Sequence, residues 1–81
     1  MSEAVLGIDV SKKTLDACLI FDGRILNKQF KNSVKGFQSL AVWLASLAVT
    51  EGHACLEATG VYGEAVALFL YNQGHLVSVV N

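Results

Sequence analysis

Around Asn32-Ser33 the hydrophobic period of this chain changes from two to between three and four, and that switch limits the folds open to it. Thr14 to Phe21 alternates, with Leu15, Ala17, Leu19 and Phe21 on one side and Asp16, Cys18 and Ile20 on the other. Asp22-Gly23 follows, a strong hairpin signal, and Arg24 to Lys31 is a more polar strand with Leu26 and Phe30 sharing a face, suited to a sheet edge. Ahead of them, residues 4–10 read as an apolar strand joined to the next by Ser11-Lys12-Lys13. Beyond the switch, Asn32-Ser33 supplies a cap and Phe37, Leu40, Ala41, Leu44, Leu47 and Ala48 recur on one helical face. Trp43 and Val42 widen that stripe, and Glu51-Gly52 ends it. His53 to Ala58 reads as a strand, Thr59-Gly60 opens a helix running to about Gln73 before Gly74, and 75–80 is a last strand.

The element order β-β-β-α-β-α-β has a preferred assembly. Strands alternating with helices pair in parallel through right-handed crossovers, which puts the fourth strand beside the first and gives the order 3-2-1-4-5. The expected class is therefore α/β with a mixed sheet. Eighty-one residues, 53% hydrophobic and without proline, suffice for one compact domain with one core. That apolar content is high for the size, and the final strand has no following element, so the sequence reads as a truncated domain. A bare sheet face should then drive self-association by edge pairing or element exchange. No window is long and apolar enough to span a membrane, and the start has no signal-peptide pattern; a cytoplasmic setting is expected. Cys18 and Cys55 read as small core residues, held about 9 to 10 Å apart by an intervening strand and so unable to form a disulfide.

Two acids stand out against this frame. Asp9 interrupts Val5-Leu6-Gly7-Ile8-Val10, and Glu57 closes Ala54-Cys55-Leu56. If both strands are buried, each charge costs several kcal/mol, roughly, unless a metal or several donors compensate it. The strand order places both near the carboxyl ends of adjacent central strands, where connections diverge and open α/β sheets take ligands. Local roles are available to each singly: Asp9 bonding the Ser11-Lys12 turn, Glu57 favoured by the dipole of the next helix. Their joint placement points instead to a metal site. Asp16 reads as a solvated strand residue, Tyr62 as an inward-facing helix aromatic, and His53 and His75 as structural. Charge is segregated too: all six basic residues lie between Lys12 and Lys35, opposed there only by Asp16 and Asp22, for a window charge of +4 in a chain of net −1. Lys12 and Lys13, beside Asp9, are the basic residues best placed to meet a nucleic-acid phosphate.

The order of elements, with Asp on the first strand and an acid at the end of the fourth, resembles the ribonuclease-H-like fold. The wording is narrower: Gly7-Ile8-Asp9-Val10-Ser11-Lys12, then Leu15-Asp16-Ala17, then Leu56-Glu57-Ala58-Thr59-Gly60-Val61-Tyr62 resembles the amino-terminal part of DEDD-type transposases of the insertion-sequence-110 family. The resemblance covers essentially all of residues 1–81 and implies the first half of a RuvC-like catalytic domain. It further implies that Asp9 and Glu57 match the first two of four acids binding Mg²⁺ or Mn²⁺, that the other two acids and a serine-bearing domain follow Asn81, and that the whole protein recombines DNA with a guide RNA. With half its ligands, the chain alone is expected to be inactive. Two rival readings remain: the amino-terminal piece of an actin-like ATPase or sugar kinase, which also opens on a Gly-Ile-Asp strand, and a non-catalytic interaction module.

Overall fold

The computed structural model describes residues 3–58 and 60–80. Strands β1 (Val5–Val10), β2 (Thr14–Phe21) and β3 (Arg24–Lys31) precede helix α1 (Val34–Ser46), strand β4 (His53–Ala58), helix α2 (Glu64–Asn72) and strand β5 (Leu76–Val80). They form one five-stranded sheet in the order β3-β2-β1-β4-β5, antiparallel from β3 to β1 and parallel from β1 to β5. This is the expected α/β topology of a ribonuclease-H-like sheet.

Strand alternation decides what is buried. Ala4, Leu6, Ile8 and Val10, with Leu15, Ala17 and Leu19 of β2 and Ala54, Leu56 and Ala58 of β4, enter a single core cluster with Phe37, Leu40 and Leu44 of α1 and Val66 and Leu70 of α2. Both helices therefore cover the same face. They meet through Phe37 and Phe69, whose ring centroids lie 5.6 Å apart. The intervening residues point to the other face, which no helix covers among the described residues: Val5, Ile20, Ile25, Leu76 and Val80 are all exposed there. Cys18 and Cys55 also lie on it, either side of Gly7 and half-buried, so they are not core residues, though the separation that rules out a disulfide holds.

The helix ends correct the sequence reading. Ser33 is the N-cap of α1, its Oγ accepting the Gly36 N–H at 3.2 Å. The helix stops at Ser46, well before Glu51-Gly52, because Ala48 turns left-handed with φ 60. The Ala48 N–H then reaches the Ala45 carbonyl and the Val49 N–H the Leu44 carbonyl, a Schellman closure with buried Val49 as its hydrophobic contact. Val42 does not extend the packed stripe; it is 69% exposed. Helix α2 begins at Glu64 rather than beside Gly60, after a turn through Gly60 to Gly63. Gly63 permits that entry, since a Cβ there would stand 2.8 Å from the Ala58 Cβ.

His75 joins the entry of β5 to that of β4: its Nδ1 accepts the Gly52 N–H at 3.1 Å. Burial lowers its pKa below the ordinary 6.5. As pH falls, the unfolded chain takes up this proton before the folded one, so the contribution of neutral His75 is complete above 6.5 and is lost on acidification toward the lower folded value. Melting temperatures followed by circular dichroism across this range should fall with pH more steeply in the native chain than in His75→Gln; equal slopes would show that His75 does not couple folding to protons.

Candidate functional site

Register brings three acids into one row. Asp9 of β1 is the antiparallel partner of Asp16 on β2 and the parallel partner of Glu57 on β4. Paired residues face the same way, and neighbouring strands lie about 4.8 Å apart, so Asp16, Asp9 and Glu57 run across the open face over roughly 10 Å. Asp9 and Glu57 occupy the carboxyl-terminal halves of the two central strands, where β1 leads into β2 on one side and β4 leads through α2 to β5 on the other. The row continues to Gln29 of β3, whose Nε2 donates to Asp16 Oδ1 at 2.9 Å.

All three acids are exposed. The expectation that Asp9 lies in a strand buried on both sides is thus corrected: the apolar run of β1 is covered on one side only, and Asp9 points away from the helices. Water solvates the charge, so its burial is no argument for a metal. What remains to explain is the juxtaposition, because like charges directly opposite one another in a sheet cost about 0.2 to 1 kcal/mol.

Neither acid serves the local role open to it. The β1–β2 turn is closed by Ser11 and Thr14: the Ser11 N–H bonds the Thr14 carbonyl at 3.0 Å, the Thr14 N–H bonds Ser11 Oγ at 3.2 Å, and the two hydroxyls meet at 2.7 Å. Asp9 takes no part in it. Glu57 stands well before α2, whose first-turn acid is Glu64.

Asn32, read from sequence only as part of a cap, ties the loops around this row. Its Nδ2 donates to the Ser11 carbonyl and to the Tyr62 carbonyl, each at 2.9 Å, and its backbone N–H bonds the Lys13 carbonyl at 2.9 Å. One side chain thereby links the turn after Asp9, the end of β3 and the loop after Glu57. Tyr62 contributes only its carbonyl to this clamp and is 41% exposed, not turned inward. Thr59, named with Gly60 as a helix opening, lies outside the described residues. Lys12 and Lys13 are exposed on the clamped turn. His53 sits at the far end of β4, bonded to Ser78 through Nε2 and Oγ at 2.9 Å, apart from the acids.

The chemistry open to the row is that of hard, solvent-reachable oxygens. In kind these suit Mg²⁺ or Mn²⁺; in number they fall short, for among the described residues no three His, Cys, Asp or Glu side chains converge closely enough to hold a metal ion.

A family model described as Transposase, of the DEDD insertion-sequence-110 group, matches residues 6–81, and the chain belongs to that family. It is 37% identical, along its whole length, to the pilin gene-inverting proteins of Moraxella bovis and Moraxella lacunata, and spans 26% of the length of each. Among solved structures it superposes on a Bacteroides thetaiotaomicron protein with an actin-like ATPase fold and unknown function (TM-score 0.69, 15% identity, 94% of this chain and 32% of that one). It also superposes on YeaZ from Pseudomonas aeruginosa (TM-score 0.66, 13% identity, 98% of this chain and 45% of that one). These two likenesses show the fold alone.

The clamp carries a prediction. Asn32→Ala leaves two carbonyls and two loops without their shared donor, and should lower stability by about 1 to 3 kcal/mol. In hydrogen exchange, amides of residues 11–14 and 60–63 should lose protection before those of β1 and β4. Uniform loss across the sheet would mean that Asn32 supports the whole fold and not these loops in particular.

Proposed function

We propose that this chain is the amino-terminal half of a RuvC-like catalytic domain, and that the whole protein uses it for metal-dependent cleavage and transfer of DNA strands. The observation that carries this reading is the parallel pairing of Asp9 with Glu57 on the open sheet face. Asp9, in the middle of the row, and Glu57 would together hold Mg²⁺ or Mn²⁺. Two such ions would supply activation of the attacking oxygen and stabilisation of the leaving one. We assign the remaining two acids of the DEDD set to sequence beyond Asn81. The matched relatives are named for inverting a gene, a rearrangement that requires cutting and rejoining DNA, which agrees with this chemistry.

The chain's own residues have separate tasks. Asp9 and Glu57 present oxygens from strands whose spacing the ladder sets. Asn32 holds the flanking turns. Lys12 and Lys13, exposed at the end of β1, are placed to meet DNA phosphate, or a guide RNA in the whole protein. The setting we infer is cytoplasmic, and among the described residues no helix is long and apolar enough to cross a membrane. The rival ATPase reading asks the turn after Asp9 to grip phosphate with free amides. Here that turn is Ser11-Lys12-Lys13, with no glycine and a single hydroxyl, which favours the recombinase.

Two outcomes test the assignment. In the full-length protein, Asp9→Asn or Glu57→Gln should reduce DNA recombination to background. The same changes in the 81-residue chain should leave stability unchanged or raise it by up to about 1 kcal/mol, since a like-charge contact is relieved. Recombination at native level by Asp9→Asn would contradict the proposal and favour an interaction module. The 81-residue chain alone should not cut DNA in Mg²⁺.

Opposite the acid row, Ile25, Ile20, Val5 and Leu76 form an exposed apolar row around His53 on the same face. Self-association of the chain through this end is expected, visible as a concentration-dependent mass in sedimentation that Ile20→Lys reduces. A monomer at all concentrations would contradict it.

A further inference from the structure

We propose that the groove between β3 and α1, lined by Lys28, Lys35, Gln38, Ser39, Val42 and Trp43, is a binding site for single-stranded DNA. It lies on the helix-covered side of the sheet, across from the face that bears Asp9 and Glu57, and its existence does not depend on the metal assignment. The groove has a volume of about 610 Å³ and no acidic side chain in its lining.

The lining combines the two features that unpaired nucleic acid needs, cations for phosphates and an aromatic surface for a base. The first comes from the alternation of β3, which sends Arg24, Leu26, Lys28 and Phe30 to the α1 side. Phe30 and Leu26 pack against the core, Lys28 is left lining the groove, and Arg24 stands further along the strand, outside the lining. Arg24 Cζ lies 5.9 Å from the Phe21 ring centroid and Lys28 Nζ 5.7 Å from that of Phe30, so both charges are held over aromatic rings. Lys35, exposed in the first turn of α1, adds a second cation across the groove. Both lysines belong to the segment of +4 charge, in a chain that is otherwise acidic. The second feature is Trp43. Its ring meets Phe30 at a centroid distance of 5.6 Å and an angle of 53°, which fixes its attitude, while part of it remains exposed in the groove. Gln38 and Ser39 offer hydrogen bonds that need no particular base. A duplex hides its base faces and leaves Trp43 nothing to stack on, so the groove suits one strand.

Trp43 is the sole tryptophan of the chain, and its fluorescence reports occupancy directly. Oligothymidylate added to the 81-residue chain at low salt should quench that emission. Lys28→Ala with Lys35→Ala should weaken binding about tenfold or more, and the slope of log affinity against log salt should flatten by about 1.4. Trp43→Ala, followed by anisotropy of a labelled oligonucleotide, should cost about tenfold. The lysine pair is exposed and keeps the test decisive if Trp43→Ala fails to fold. Absence of binding, binding that leaves Trp43 emission unchanged, or a loss under twofold in the lysine pair would overturn the proposal. So would tighter binding of duplex DNA or oligouridylate, or equal competition by polyglutamate, which would mark the groove as a site for RNA or for an acidic protein. Quenching by oligothymidylate should persist in EDTA, which separates this site from the metal reading.

Discussion

Pairing β1 with β4 in parallel requires the chain to leave the edge strand β3, cross the core as α1 and return beside its first strand. The ladder that results sets the register of Val5 with His53 through Val10 with Ala58, and so sets Asp9 beside Glu57. Ala54, Leu56 and Ala58 fix that register, because each is buried against the helices. A slip of one residue would bury Glu57 and expose Leu56. The core thus positions the two carboxylates without touching them.

The sheet has two unlike faces. One carries the core and both helices. The other carries polar and apolar rows at opposite ends, with Asp16, Asp9 and Glu57 at one and the Ile25, Ile20, Val5 and Leu76 row at the other. Three neighbouring carboxylates without a compensating cation work against the folded state. In a domain of 81 residues with one modest core, that cost is noticeable. Asn32 offsets part of it locally by tying the loops at that end, and Gln29 holds Asp16 from the edge. On the proposed reading, a divalent cation held by Asp9 and Glu57 would offset that cost.

Much of this was legible in the residues. Alternation in β2, the Asp22-Gly23 hairpin and the change of period at Ser33 determine the elements, and handedness of the crossover determines the sheet order. What the sequence did not show has specific causes. The run Val5-Leu6-Gly7-Ile8 reads as buried on both sides, yet only one side is covered, so Asp9, Cys18 and Cys55 face outward. Helix α1 ends on a left-handed alanine, Ala48, a conformation that composition signals only when glycine is used. Helix α2 has Gly63 at its N-cap, with no side-chain cap, so only the first-turn Glu64 marks its start. Asn32 acts between loops far apart in the chain, and Asp16 joins the acid row only once the hairpin register is known.

The central claim is that Asp9 and Glu57 act together on a divalent ion. Amide resonances of the ¹⁵N-labelled chain, titrated with small amounts of Mn²⁺, test it most directly, since paramagnetic broadening maps even weak binding to its neighbours. The account predicts selective broadening at residues 8–10, 16 and 56–58, abolished by Asp9→Asn. Broadening centred elsewhere, for example on Glu3 and Glu51, or undiminished by Asp9→Asn, would contradict it.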